Sequence, residues 1–216
     1  MRLIEQVDIG DCEAVDDWSL AQDVNAWSSL GYIVAGLVVI VAVARCRVPR
    51  VFLALAAAVI VEGVGSVLYH GDPGDAARLL HDAALVAILG FITGWHVGRL
   101  VDRRADTGAL VGLLIGAVAG AIGASASAVV TNSIVAAALV VLVGAELLAR
   151  RRRLPVVWNA ASVVLVGVAV VAWALGTSDS PLCDEDSWAQ PHGLWHVLSA
   201  IVVVVWVDRA AAAAMP

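Results

Sequence analysis

Long runs of Ala, Val, Leu, Ile and Gly alternate along this chain with short segments that hold most of its charge. Each run approaches the about 20 residues a helix needs to cross the hydrocarbon core of a bilayer. The pattern predicts seven spans, Val24–Ala44, Val51–Tyr69, Leu79–Val97, Thr107–Ala124, Ala128–Leu148, Val156–Leu175 and His192–Val207. The expected fold class is an all-α membrane protein, a single domain of seven transmembrane helices over residues 1–216. Residues 1–23 form an acidic segment without an apolar core, so no cleavable signal peptide is expected.

Composition strengthens this picture. Only 15% of the residues are charged, against about 25% in soluble domains, so the chain reads as polytopic rather than as a soluble domain with one anchor. All 13 basic residues are Arg. Without Lys there can be no retinal Schiff base, which excludes a light-driven retinal pump. A net charge of -6, with no basic patch outside the helix flanks, excludes nucleic-acid binding. The Arg clusters at 45–50, 99–104, 150–153 and 209 fall after alternate spans. Positive charge marks the cytoplasmic side, so the N-terminus is expected outside and the C-terminus inside. The Ala/Val/Arg bias points to a GC-rich prokaryote and its plasma membrane.

This orientation puts Cys12 and Cys183 outside, where an oxidising compartment would let them pair; the alternative is two free thiols. Cys46 is expected to be inert packing. Gly112, Gly116 and Gly120 form a small-residue stripe that should let another helix approach closely. Asn132, Asn159 and Ser162 are expected to bond between helices.

Five residues stand out against this apolar background: Ser66, His70, Asp82, His192 and His196. Ionisable groups within spans are costly, which makes them functional candidates. The orientation puts all of them near the outer face, with Asp82 in the first turn of its span. His192 and His196 are four apart, on one face of a helix, and three imidazoles are the ligand set of a catalytic zinc. Ser66 and His70 share the same spacing, and Glu62 extends that face one turn deeper as a candidate supporting group. His81 should point about 100° away from Asp82, and His96 lies at the opposite end of its span.

Together these residues resemble a known family. The segment GVGSVLYH, then Asp82 twelve residues after His70, then HGLWHVLS, is similar to the alkaline ceramidase family. That family belongs to a superfamily of seven-helix intramembrane hydrolases that includes the adiponectin and progestin receptors. The N-terminal DCEAVDDWSLAQDVNAWSSLGYIVAG resembles the family's acidic Cys-Glu segment and the start of its first span. The short His70-to-Asp82 spacing favours the ceramidase branch. The resemblance implies zinc on His70, His192 and His196. It implies that Asp82 holds and deprotonates the attacking water and later passes a proton to the leaving amine, while Ser66 helps stabilise the oxyanion. Animal members also bind calcium through the acidic segment. Here the pool is Asp11, Glu13, Asp16, Asp17 and Asp23, but Gln22 replaces a family Glu.

The expected activity is therefore hydrolysis of a linear lipid amide, ceramide-like, reached from the outer leaflet, with membrane lipid and substrate as the only partners. A receptor or sensor on the same scaffold, and an ion or proton transporter using Glu62, Asp82 and the histidines, are the alternatives. The one-sided clustering of ionisable groups and the lack of a sizeable cytoplasmic domain weigh against both.

Overall fold

A computed structural model describes residues 10–15, 20–45, 47–101 and 104–214. Cys46, Asp16 and Asp17 lie outside the described residues. The helices are α1 (Asp23–Ser28), α2 (Leu30–Ala44), α3 (Phe52–Gly71), α4 (Asp75–Leu100), α5 (Ala105–Ala126), α6 (Ala128–Arg151), α7 (Ala160–Leu175) and α8 (Pro191–Ala214). Among the described residues, six helical segments are long and apolar enough to cross a membrane, with α1 and α2 counting as one span, Asp23–Ala44. These segments mark an integral membrane protein. The seventh, α7, is apolar but has only 16 residues, about 24 Å of helix.

Several expected boundaries move for local reasons. The first span breaks at Ser29, where the Ser28 and Ser29 hydroxyls both donate to the Asn25 carbonyl. Such back-bonding competes with the helix ladder. The α4 helix starts at Asp75 rather than Leu79, so Asp82 lies about two turns inside it rather than in its first turn. The α7 helix starts at Ala160 rather than Val156, because the Asn159 side chain accepts from the Ser162 N–H at 2.8 Å and the Ser162 hydroxyl at 2.9 Å. Asn159 and Ser162 thus form a cap within one helix rather than the expected bond between helices. Asn132 is exposed.

The glycine stripe does what its spacing predicts. The glycine face of α5 lies directly on α4, and a Cβ at Gly120 would stand 2.6 Å from the Asp82 carbonyl oxygen. The α3–α4 seam is equally close at Gly65, where a Cβ would stand 2.9 Å from the His81 backbone nitrogen. Small residues therefore bring α3, α4 and α5 together at the level of the candidate site.

Phe52, Phe91, Trp95 and Trp206 fill the bundle further along, with ring centroids 5.5–6.2 Å apart. Leu114, Ile115, Val118 and Ile122 of α5, and Val140 and Val143 of α6, remain exposed. In lipid this is the expected state of an outer face, because hydrocarbon is as apolar as the side chains. The α6 helix packs on α4 and α5, whereas α7 packs on α8; no comparable packing joins α6 to α7 among the described residues.

The two ends of the bundle differ. At one end lie His70, Asp82, His192 and the bridge between Cys12 and Cys183. At the other, Arg99 donates to the Pro155 carbonyl and Arg152 to the Leu100 carbonyl. There His96 is buried, accepting from the Trp206 indole at 3.1 Å with Glu146 3.2 Å from its other ring nitrogen. His96 lies fourteen residues along α4 from Asp82, about 21 Å away, and takes no part in the candidate site.

Candidate metal centre

His70 comes from the last turn of α3, and His192 and His196 from the first two turns of α8. All three are buried. Each offers one ring nitrogen, and these nitrogens lie within 4.8 Å of one another. The ring centroids are 4.7–5.2 Å apart.

The surrounding hydrogen bonds set which nitrogen faces inward. Gln22 donates its amide Nε2 to the Glu13 carbonyl, which orients its Oε1 toward His70. That oxygen lies 2.8 Å from His70 Nδ1, so Nδ1 carries the proton. His196 Nδ1 lies 3.1 Å from the Asn25 carbonyl, with the hydroxyls of Ser28 and Ser29 at 2.9 and 3.2 Å. A bond to a carbonyl again places the proton on Nδ1. His192 Nδ1 lies 3.0 Å from a carboxylate oxygen of Asp11, whose other oxygen is 3.8 Å from His70 Nδ1.

His70 Nε2 and His196 Nε2 are consequently buried lone pairs without a partner. Leaving such groups unmatched costs about 1–3 kcal/mol each. A cation between the rings removes that cost, and outer carbonyl and carboxylate partners of this kind are the usual support of a histidine metal site. The residues fit a metal ion.

Ser66 reaches the cluster indirectly, while Asp82 is bonded to His81, whose ring centroid lies 6.3 Å from that of His70. The Ser66 hydroxyl is 2.8 Å from that of Ser29, which in turn touches His196. Asp82 lies 2.9 Å from His81 Nδ1 and accepts from the Thr131 hydroxyl at 3.0 Å. This corrects the expectation for His81. Adjacent helix positions diverge at Cα, but the imidazole is long enough to swing back onto the neighbouring carboxylate. His81 Nε2 then faces Glu62 at 3.4 Å, and the Tyr69 ring stacks on it at 5.1 Å. Glu62, His81 and Asp82 thus form a chain from the bundle interior to the edge of the site. One oxygen of Glu62 stays buried without a partner.

Residues 10–15 and 20–22, ahead of α1, lie across this end of the bundle as a strap. Cys12 is bonded to Cys183, with Cα atoms 5.4 Å apart, so the expected pairing is present. Asp11 forms a bridge with Thr177, and the Cys12 N–H donates to the Gly176 carbonyl. Beyond Ser19, Gln22 and Ala21 donate their N–H groups to the carbonyls of His70 and Gly71.

Of the acidic pool expected for calcium, Asp11, Glu13 and Asp23 are among the described residues, and these three do not gather. Glu13 spends both oxygens on the N–H groups of Val24 and Asn25, at 2.6 and 2.8 Å, capping α1. Burial pushes its carboxyl up from the ordinary range while those two donors pull it down. Asp11 faces the histidines and Asp23 is exposed. Among the described residues, no three carboxylates gather; the one such cluster of ligand groups is the histidine triad.

Sequence reasoning found the three histidines and missed the roles of Asp11, Gln22, Ser28, Ser29 and His81. The polar run NAWSS at the head of an apolar span was the available signal for the two serines. No protein-family model and no curated protein matches the chain.

Proposed function

We propose that this protein is an intramembrane zinc-dependent amide hydrolase, cleaving the N-acyl bond of a ceramide or related lipid amide to a fatty acid and an amine. The observation that carries this reading is the buried histidine triad, with two unpartnered Nε2 atoms held by outer hydrogen bonds. Imidazole nitrogens as the ligand set favour zinc over harder cations. The resemblance to the alkaline ceramidase family supports the same choice.

His70, His192 and His196 would hold the ion. When bound, zinc polarises a carbonyl and brings the pKa of water toward about 7. Asp82 would take the proton of the attacking water and return it to the leaving nitrogen, so that the C–N bond breaks as the amine departs. A carboxylate placed for such transfers typically supplies about 10²–10⁴-fold. Ser66 would steady the oxyanion by turning its hydroxyl proton, which meets Ser29 at 2.8 Å, toward the substrate oxygen. The seam between α6 and α7, where packing is sparse, would admit a long acyl chain from the lipid. The Arg distribution supports a multi-pass plasma-membrane protein with this end at the outer face.

The test is metal analysis of purified protein together with amidase assays on a panel of N-acyl lipids, for wild type and His70→Ala. About one zinc per chain and release of fatty acid, both lost in the variant, is the expected result. Folded wild-type protein that holds no zinc and cleaves no member of the panel would refute it.

A further inference from the structure

The strap places a carboxylate where the proposed chemistry has assigned none. Asp11 puts one oxygen 3.0 Å from His192 Nδ1 and the other 3.8 Å from His70 Nδ1. Its side chain is 11% exposed, so little water screens the contact. His70 and His196 each have a neutral oxygen acceptor at Nδ1; at His192 Nδ1 no hydrogen bond is formed, and this acid stands at ion-pair distance from it. A neutral imidazole donates through one nitrogen and ligates through the other, and a carboxylate on the donating side makes the ring a stronger ligand.

Asp11 sits at the site because of the chain on either side of it. Its backbone pairs with Thr177, Ser178 donates its N–H to the Gly10 carbonyl, and Cys12 is tied to Cys183 one residue further on. Every one of these attachments is to the 176–183 segment leading from α7 towards α8. Cleaving the bridge would remove the covalent part; the backbone hydrogen bonds, at the membrane surface where water competes for them, and the Glu13 cap on α1 would remain.

We propose that Asp11 is a positioning residue of the metal centre, acting on His192, and that the Cys12–Cys183 bridge keeps the metal affinity high by holding Asp11 there. The inference rests on the metal centre of the function proposed above. It makes the site redox-sensitive without a cysteine among its ligands: reduction frees the strap, Asp11 leaves His192, and the ion is held less tightly.

The experiment is a Zn²⁺ titration of the full-length protein in detergent, stripped of metal, against a competing chromophoric chelator. Wild type, Asp11→Asn and the exposed loop variant Asp179→Asn are each measured oxidised and after reduction with a phosphine. With the bridge intact, Asp11→Asn should weaken zinc binding about tenfold or more, whereas Asp179→Asn should bind as wild type does. Reduction should weaken wild type by a similar factor and add little to Asp11→Asn. The proposal is overturned if oxidised Asp11→Asn binds zinc as tightly as wild type, or if reduction weakens the variant as much as wild type. Asp11→Asn is isosteric and keeps the bridge, so it tests the first half without loosening the fold. Zinc binding with this dependence, in a protein that hydrolyses no lipid amide, would support the inference and remove only the amidase reading.

Discussion

At the scale of single residues, His81 is the most constrained side chain outside the triad. It lies between Glu62 and Asp82, with Tyr69 on its face. If it orients the Asp82 carboxylate, His81→Ala should lower kcat about tenfold or more, with zinc content unchanged and KM little altered. A variant that lost zinc as well would place His81 in metal binding instead. His192 and His196 were legible in the sequence because helical spacing puts them on one face, and His70 joined them through the expected orientation and the family resemblance. The partners of the triad's Nδ1 atoms were not, because Gln22 and Asp11 reach their histidines only once residues far apart in the chain have been folded together. Gln22 illustrates this: read along the chain it is a missing calcium ligand, whereas in the structure its amide oxygen meets His70.

At the scale of elements, two contacts separate packing from capping. Gly120→Leu inserts a side chain where a Cβ alone would already stand 2.6 Å from the Asp82 carbonyl. The seam cannot absorb it, so α5 must shift away from α4. A loss of about 1–3 kcal/mol is expected, read as a lower Tm in detergent, together with lower amidase activity because α4 carries Asp82. Asn159→Ala should cost about 1 kcal/mol through the lost α7 cap, yet leave zinc affinity unchanged, since the cap lies at the end of the bundle away from the histidines. The helices themselves were legible from the apolar runs. Their ends were not, because Ser29 and Asn159 act through hydrogen bonds and capping, to which average hydropathy is blind.

At the scale of the whole molecule, a metal at the candidate centre would be coupled to the fold, because the three histidines come from α3 and α8. An ion that binds only the folded bundle stabilises it by about 2.7 kcal/mol at a hundred times its Kd. Stripping zinc with a chelator should therefore lower the Tm by several degrees, and restoring it should reverse the shift. A Tm indifferent to the chelator would show that the bundle closes without the ion.

The strap also has a consequence for biosynthesis. The Cys12 thiol is made before its partner and must wait 171 residues for it. Asp11 must wait for His192, and His70 for both ligands of α8. No partial chain ending before α8 contains a metal centre, however well its earlier helices have inserted. Under the proposed function, capture of the ion would belong to the final stage of assembly, which would spare the growing chain from holding zinc in a half-built site.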